Sequence, residues 1–370
     1  MSYNSTIFSQ VLQQVNRYDF KNQVSKHNGD KGTSKFRCFP ILVIMLYMQL
    51  KIKFSLRGIT SGINIFQNNF YHLGMNGLDK VSRTSLSDAL KSRPAKVFED
   101  YFYSLLEKVN QYENRSIRRL RCRKKKLKIL DSTTISLCKE LYNWAKFRKT
   151  KSGIKLHTIF DPQLLAPVKV FITNAKKHDI NIVSKIKIEK GQMYVFDRGY
   201  NDYKYWYSID LARGLFVTRL KKNSTYQIIK KKRIMSDNGV KSDCIIRITG
   251  TKANEYPKEL RLVAYYDEET KKNFKFVTND FRSSAKEIAN IYKTRWMIEL
   301  FFKWIKQHLS IKKFVSTTEN GVKIQIWTAL ILYLLLLLIK YECKEKVDLF
   351  EIFRRIQEAL MERMDINFLI

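Results

Sequence analysis

Three acidic side chains stand where a carboxylate could bind a metal ion. Asp131 lies within a predicted strand, Leu127 to Cys138, and its neighbours on the same strand face are mostly apolar. An unpaired carboxylate in such surroundings is expensive to bury. Asp197 directly follows the apolar stretch Met193–Phe196, and functional groups of α/β sheets lie at the carboxyl ends of strands. Together with Glu299, which falls within a predicted helix, these residues are the candidate catalytic groups.

Each carboxylate also has a plainer interpretation. Asp131 could be a surface residue at a strand edge. Asp197 could simply cap a helix. Glu299 could belong to a solvated ladder with Arg295 and Lys303, which stand four residues to either side. The combination of two acids on strands and one on a helix, in a very basic chain, favours the catalytic interpretation.

The chemistry that such a trio supports is displacement at phosphorus. Three carboxylates can hold two divalent cations with open positions, which activate a water or a 3′ hydroxyl and stabilise the leaving oxygen. Hard oxygen ligands select Mg²⁺ or Mn²⁺ over zinc. We therefore predict two Mg²⁺ (or Mn²⁺) ions bound by Asp131, Asp197 and Glu299.

The segment that carries Glu299 is predicted to be one continuous amphipathic helix over residues 284–309. Ser284 and Glu287 form a capping box that fixes its start. At 100° per residue, one face of this helix is polar and the other apolar. The polar face is predicted to present Tyr292, Arg295, Glu299 and Lys306, with Trp296 and Lys303 on its flank.

The charge of the chain points to a polyanionic partner. Its 69 Lys and Arg residues outnumber 34 Asp and Glu residues, which gives a formal net charge of +35. Cationic side chains that neutralise phosphates release counterions, so such a surface favours nucleic acid. The predicted partner is double-stranded DNA, although a surface that serves only solubility would carry the same balance.

Several other function classes lack their residues. The sequence contains no Gly-rich phosphate loop, no dinucleotide fingerprint, no H-E-x-x-H pair and no G-x-S-x-G elbow, so no nucleotide cofactor is expected. Its five cysteines are scattered, which disfavours a disulfide framework and indicates a reducing cytosol. Its histidines are isolated, and His178 is interpreted as structural.

The elements that must position the three acids follow an α/β order. Residues 127–220 are predicted as three strands, a helix, a strand, a helix and a strand, and residues 221–280 as a β-rich insertion. The segment from Ser82 to Arg93 is either the second helix of a helix-turn-helix or an ordinary surface helix. The predicted organisation is 1–112 helical and DNA-binding, 113–126 a basic linker, 127–220 the first part of the core, 221–280 the insertion, 281–345 the second part of the core, and 346–370 a C-terminal helix.

The apolar run from Ile326 to Ile339 is interpreted as a buried core helix. It contains no charge, but it is only fourteen residues long. A membrane span needs about 20 apolar residues, and runs of about 10–14 are more often buried helices. No membrane partner is therefore expected.

These motifs resemble those of the DDE transposases of the IS4 insertion-sequence group. The helix signature of that group is Tyr, Arg, Glu and Lys at fixed spacing, and it stands here as Tyr292, Arg295, Glu299 and Lys306 with every spacing kept. The motif of the first acid is Leu130-Asp131-Ser132-Thr133, and that of the second is Asp197-Arg198-Gly199-Tyr200. The resemblance also includes Phe54–Gly58 and Ser82–Leu90, and so extends over nearly the whole chain.

The resemblance implies an α/β protein with an RNase H-like catalytic core, a β-rich insertion and an α-helical N-terminal DNA-binding domain. It implies cut-and-paste transposition by metal-dependent hydrolysis and strand transfer, carried out by a homodimer on paired DNA ends in the bacterial cytoplasm, associated with the nucleoid while DNA is bound. The residues expected to contact DNA are Tyr292, Arg295, Lys306, Trp296, Lys303 and Arg198.

Two other functions stay open on the residues alone. A nuclease on the same core would use the same carboxylates without joining strands. A DNA-binding derivative that no longer cuts would keep the basic surface, although the intact carboxylates disfavour it.

Overall fold

A computed structural model describes residues 5–34, 36–120, 126–148, 151–221, 223–234, 239–343 and 347–370, with the backbone alone over 113–120. The chain divides into two compact units. We call the first the helical unit, and it contains residues 1–122, 135–152 and 303–370. We call the second the sheet unit, and it contains residues 123–134 and 153–302.

The strands of the described residues are β1 (Leu127–Leu137), β2 (Lys146–Arg148), β3 (Lys151–Asp161), β4 (Ala166–Asn174), β5 (Met193–Phe196), β6 (Leu215–Arg219), β7 (Tyr226–Lys231), β8 (Val240–Ile248), β9 (Leu260–Asp267) and β10 (Lys272–Thr278). The α-helices are α1 (Ile7–Gln13), α2 (Arg17–Lys26), α3 (Cys38–Leu50), α4 (Leu56–Asn64), α5 (Arg83–Ser92), α6 (Ala95–Leu120), α7 (Ile180–Val183), α8 (Tyr203–Leu211), α9 (Ala285–Lys293), α10 (Trp296–His308), α11 (Glu319–Cys343), α12 (Leu349–Glu358) and α13 (Ile366–Leu369).

The sheet follows the order β2-β3-β1-β5-β6-β10-β9-β8-β7, and β4 also pairs with β3. Strands β1, β5 and β6 run parallel, whereas β3 and β4 pair antiparallel. The five strands β4-β3-β1-β5-β6 have the order of an RNase H-like sheet, which confirms the predicted fold class. Strand β5 is buried at every residue, as its wholly apolar sequence predicts for a central parallel strand.

Helix α8 connects β5 to β6 and packs on the sheet through aromatic side chains. The ring centroids of Trp206 and Phe216 are 5.2 Å apart, and those of Phe196 and Phe216 are 6.0 Å apart. All three side chains are fully buried. This aromatic cluster holds the carboxyl end of β5 in place, and Asp197 follows that end directly.

The predicted β-rich segment is present, and it extends the same sheet. Strands β7 to β10 pair antiparallel in succession, and β10 joins β6 through the pairing of Thr278 with Val217. Arg261 of β9 forms a buried ion pair with Asp243 of β8 at 2.7 Å. The same guanidinium donates at 3.2 Å to the carbonyl of Asp280, in the turn before α9. The segment therefore helps to fix where α9 begins.

Helix α11 is the centre of the helical unit. It contacts α3, α5, α6 and α12, and its residues from Ile324 to Ile339 are buried. Among the described residues, α11 is the helix long and apolar enough to cross a membrane, and 94% of its most apolar window is buried within the protein. Such burial is typical of a core helix, as predicted.

Several predicted boundaries were wrong. The stretch predicted as one helix over 284–309 is two helices, because α9 ends at Lys293 and α10 begins at Trp296. Helix α6 continues to Leu120, well into the stretch predicted as a linker, of which residues 121–125 lie outside the described part of the chain. The helix predicted after Asp179 is a single turn. The predicted division of the chain into six segments stays a prediction.

Candidate active site

Asp131 lies half-buried on β1, among charged groups of both signs. The backbone N–H of Ser132 donates to its Oδ1 at 2.7 Å. Burial raises the pKa of Asp131 to about 6, and the negative charges of Asp197 and Glu299 add to that rise. The Ser132 N–H and the positive charge of Arg295 oppose it. The carboxylates of Asp197 and Glu299 are therefore each near enough to act on the charge of Asp131.

The register of the sheet explains why the two aspartates are neighbours. Leu130 of β1 is paired with Phe196 of the parallel strand β5. Asp131 and Asp197 each follow one member of this pair, and adjacent strands lie about 4.8 Å apart. The N–H of Gly199 donates to Asp197 Oδ1 at 2.7 Å. Asp197 thus caps a short helical turn, as its structural interpretation predicted. This capping role does not conflict with the predicted catalytic role.

Arg295 lies in the break between α9 and α10, and its guanidinium links the carboxylate of Asp131 to that of Glu299. One of its guanidinium nitrogens donates to Asp131 Oδ2 at 3.1 Å, and another donates to Glu299 Oε1. The side chain of Arg295 is 18% exposed and that of Asp131 is 17% exposed, so water screens this ion pair only partly. The sequence predicted that Arg295 would lie near Glu299, but it did not indicate that one guanidinium would bridge two acids.

The helix break has a local cause in its hydrogen bonds. The N–H of Arg295 donates to the carbonyl of Tyr292 at 3.0 Å, and the hydroxyl of Thr294 donates to that of Ile291 at 2.6 Å. Bonds of the first kind, three residues apart, tighten a helix end into a 3₁₀ turn. The polar face predicted from Tyr292 to Lys306 is therefore interrupted by this turn, and Tyr292 at its start is buried.

Tyr292 is consequently a buried residue. Its ring lies 4.8 Å from that of Phe276, and it is 7% exposed. The positive charges of Arg295 and Arg219 lie close enough to lower the pKa of its hydroxyl, but burial outweighs them and raises it. Trp296, by contrast, is 58% exposed.

The remaining predicted DNA contacts divide between the units. Arg198 belongs to the sheet unit, and its buried Nε has no hydrogen-bond partner within the described part of the chain. Lys303 and Lys306 belong to the helical unit, one and two turns after Glu299 along α10. Burial lowers the pKa of Lys306, and the charge of Lys312 lowers it further.

The three carboxylates suit a hard divalent cation, but the guanidinium of Arg295 lies between those of Asp131 and Glu299. Carboxylate oxygens are the ligands that Mg²⁺ and Mn²⁺ prefer. Nevertheless, no three acidic, histidine or cysteine side chains of the described residues are grouped as one ion would require. The guanidinium supplies the positive charge that Asp131 and Glu299 need. The three carboxylates have the chemistry to bind a metal ion, provided that Arg295 breaks its bonds to Asp131 and Glu299.

A fourth acid, Asp179, lies beside the site and was not among the residues predicted from the sequence. The carboxylate of Asp179 accepts a hydrogen bond from the Ser132 hydroxyl at 2.6 Å and lies 3.2 Å from Nδ1 of His157. Nζ of Lys155 is 3.4 Å away. The alternation of Lys155 and His157 on one strand face was the available signal, because residues two apart point the same way.

Comparisons with known proteins show the family to which this fold belongs. The model of the transposase DDE domain family matches residues 123–335, which include all three predicted catalytic acids. A family of unknown function, DUF4372, matches residues 3–76. The protein y4zB of Sinorhizobium fredii, named as a transposase, is 37% identical over 68% of this chain and 69% of its own length.

Two further relatives are named for insertion sequences. The Geobacillus stearothermophilus protein named for element IS5377 is 31% identical over 70% of this chain and 68% of its own length. The Synechocystis protein named for element IS4SA is 28% identical over 80% of this chain and 82% of its own length. A solved piggyBac transposase synaptic complex with hairpin DNA aligns with a TM-score of 0.46 and 9% identity over 97% of this chain and 78% of that chain, which is too weak a likeness to bear on function.

The fold and the family match define an RNase H-like enzyme of DNA cleavage and joining. This chain belongs to the DDE transposases of insertion sequences, and the resemblance drawn from its motifs is confirmed.

Proposed function

We propose that this transposase moves its insertion sequence by a cut-and-paste route, with Asp131, Asp197 and Glu299 holding two Mg²⁺ or Mn²⁺ ions. The observation that carries the proposal is the grouping of these three acids, in which the charges of Asp197 and Glu299 both act on Asp131. They come from β1, from the end of β5 and from α10, and the charges of the latter two help to raise the pKa of Asp131 to about 6. Such repulsion is relieved by a cation bound among them.

Two divalent ions, when bound, activate the attacking oxygen and stabilise the leaving oxygen of an in-line displacement at phosphorus. The carboxylates hold and orient that centre, and the parallel pairing of β1 with β5 brings the two aspartates to neighbouring strand positions. Arg295 has a second role in this proposal. It neutralises Asp131 and Glu299 in the free protein, and it turns to a DNA phosphate when the acids take up their ions, because a guanidinium also binds phosphate through paired hydrogen bonds.

The remaining DNA contacts are proposed for Tyr292, Trp296, Arg198, Lys303 and Lys306. Trp296 is exposed and can stack on a base, which is tolerant of sequence. The buried Tyr292 positions Arg295 and Arg219 and contacts DNA only through them. A second basic surface is the edge strand β7 with the residues that follow it, where Lys230, Lys231, Lys232 and Arg233 are consecutive.

We further propose that the chain acts as a homodimer on double-stranded DNA. Two element ends must be held together for a coordinated excision, which a pair of identical subunits accomplishes. The proposed location is the bacterial cytoplasm, on the nucleoid while DNA is bound. Four cysteines of the described residues are free thiols, which suits a reducing compartment.

The test is cleavage and joining of labelled DNA that carries the ends of the element. Wild type, Glu299→Gln and the control Glu269→Gln are compared with Mg²⁺ present, and gel-shift binding is measured in parallel. Glu269 is 86% exposed and lies away from the three acids in sequence and along the sheet, on the turn between β9 and β10. We expect Glu299→Gln to bind DNA normally but to lose at least about 10³-fold in rate, within the range seen when a key charge-stabilising group is removed.

Three outcomes separate the possibilities. If Glu299→Gln cleaves as fast as wild type, Glu299 belongs to a solvated helix face and the proposed site is wrong. If wild type cleaves but never joins, the protein is a nuclease on the same core. If wild type binds DNA but does not cleave with either ion, it is a DNA-binding derivative.

A further inference from the structure

Asp179 is a partly buried acid that the proposed reaction does not use. Its Oδ1 accepts the Ser132 hydroxyl at 2.6 Å and faces two cationic or hydrogen-bonding groups, Nζ of Lys155 at 3.4 Å and Nδ1 of His157 at 3.2 Å. Burial alone would raise its pKa, but these partners outweigh burial and lower the pKa of Asp179 to about 2. It is therefore a carboxylate held ionised by the protein itself.

The first link from Asp179 leads to Asp131. Ser132 donates its side-chain hydroxyl to Asp179 and its backbone N–H to Asp131, the latter at 2.7 Å. One residue is thus fixed at both ends. A shift of the Ser132 backbone would therefore alter both the bond to Asp179 and the N–H that orients the Asp131 carboxylate.

The second link leads to Asp197. A Cβ placed on Gly199 would lie 3.6 Å from Oδ2 of Asp179 and 3.0 Å from Oδ1 of Asp197. The turn that begins at Asp197 therefore packs against Asp179, and its Gly199 N–H holds the Asp197 carboxylate at 2.7 Å. Asp179 thus contacts Ser132, the residue after Asp131, and lies against the turn that begins at Asp197.

A buried hydrogen-bonding group, His157, connects Asp179 to Thr173. The His157 ring is 2% exposed, and its Nε2 lies 3.0 Å from the hydroxyl of Thr173. Thr173 is on β4, which pairs with β3 in the register Lys155 to Thr173. A buried polar chain of this kind is costly unless every member is paired, so it fixes one position for Asp179.

We propose that Asp179 is a positioning residue that sets the separation of Asp131 and Asp197, and hence the affinity of the site for divalent ions. This inference rests on the proposed function, in which the two aspartates are ligands. Asp179 acts through Ser132 on one side and through the Gly199 turn on the other. Its Oδ1 is held by Ser132, Lys155 and His157, so in this proposal Asp179 orients the two ligands and is not itself one.

The experiment compares wild type with Asp179→Asn, Ser132→Ala, the double variant and Ser132→Thr. Binding of Mn²⁺ is followed by electron paramagnetic resonance without DNA, and the rate of DNA cleavage is measured against Mg²⁺ concentration. Groups that support metal ligands typically change affinity or activity by about 10–100-fold when removed. We expect Asp179→Asn and Ser132→Ala each to weaken Mn²⁺ binding by about 10-fold or more, on that scale.

Two comparisons exclude a general loss of folding. Ser132→Thr keeps the hydroxyl and should restore Mn²⁺ binding to within about 3-fold of wild type, and the double variant should be no worse than the poorer single one, since coupled residues are not additive. His178→Ala, next to Asp179 but exposed, should bind Mn²⁺ as wild type does. Thermal unfolding and DNA gel shifts should stay close to wild type throughout.

Normal Mn²⁺ binding by Asp179→Asn would overturn the inference, and so would additive losses in the double variant. Loss of one whole bound ion, with Ser132→Ala unaffected, would show that Asp179 is itself a ligand and would equally overturn it. Failure of the proposed function looks different, because wild type itself would then bind no Mn²⁺ or cleave no DNA.

Discussion

The guanidinium of Arg295 donates to Asp131 at 3.1 Å and through a second nitrogen also binds Glu299. A single cation thus bridges two of the three proposed metal ligands. The bridge forms because Arg295 lies in the turn between α9 and α10, one helical turn before Glu299. Its positive charge opposes the rise in the pKa of Asp131 that burial causes. In the proposed function, this bridge opens when ions bind between the two carboxylates.

The first prediction concerns this bridge. Arg295→Gln removes a positive charge that opposes a divalent cation, so the free protein should bind Mn²⁺ more tightly by roughly 10-fold, about 1.4 kcal/mol. The same variant should lose cleavage, since the phosphate contact is lost as well. Calorimetric titration with Mn²⁺ checks the first effect, and Arg295→Lys, which keeps the charge, is the control. Weaker Mn²⁺ binding by Arg295→Gln would contradict the bridging role.

The second prediction concerns Trp296, whose side chain is 58% exposed beside the bridge. If it stacks on a base, Trp296→Ala should weaken binding of the cleaved end by about 1–3 kcal/mol, the usual contribution of one stacked base. The fluorescence of 2-aminopurine placed near the DNA end reports the stacking directly. Leu300→Ala is the matched control, because Leu300 is also exposed on α10. Equal fluorescence in wild type and Trp296→Ala would rule out stacking.

The third prediction concerns the edge strand β7. Lys230 and Lys231 are exposed there, and neither has an ion-pair partner among the residues that the structure describes. Replacing both with Gln should weaken DNA binding for all sequences and reduce the slope of log K against log salt by about 1–2, because each phosphate contact contributes about 0.9. Lys190→Gln, exposed on the same unit, is the control. An unchanged slope would place the DNA elsewhere.

The fourth prediction concerns stability and pH. Asp100 of α6 is 15% exposed and pairs with Lys26 at 2.8 Å, His27 at 2.9 Å and Lys96 at 3.1 Å. Burial would raise the pKa of Asp100, but its three partners outweigh burial and lower it well below the ordinary range. Asp100→Asn should therefore lower the free energy of unfolding at pH 7 by about 2 kcal/mol, a typical contribution of hydrogen bonds to a charged group.

The pH dependence of this loss has a definite sign. The folded protein has the lower pKa, so the stabilisation by Asp100 is present above the unfolded value of about 3.9 and is lost as pH falls below it. Urea unfolding of wild type and Asp100→Asn should differ most between about pH 5 and 7, and the difference should narrow as pH falls below about 4. Asp88→Asn, whose side chain is 73% exposed, should differ little at any pH. A constant difference across this range would contradict the ion-pair explanation.

Local patterns in the sequence were sufficient for the elements and for the acids. The wholly apolar run Met193–Phe196 predicted a buried strand, and Asp197 at its end predicted a functional group. Spacing placed Glu299 one turn after Arg295. Asp131 was predicted because it is a carboxylate on a mostly apolar face of β1, and the excess of basic residues indicated DNA. The elements could be predicted because periodicity, capping and composition are properties of short segments, whereas the roles of the acids stay predictions.

Contacts between distant segments were decided only by the tertiary structure. Asp179 gave no signal in its own neighbourhood, because its partners Ser132 and His157 come from two other strands, 47 and 22 residues away. The break at Arg295 was likewise invisible to a 100° periodicity, which assumes an uninterrupted helix. Burying Tyr292 against Phe276 while turning Trp296 outward requires that break, and the stabilisation comes from packing on a sheet that the helix sequence does not contain. The sequence by itself therefore determined which side chains could do the chemistry, and the packing of the sheet decided how they face one another.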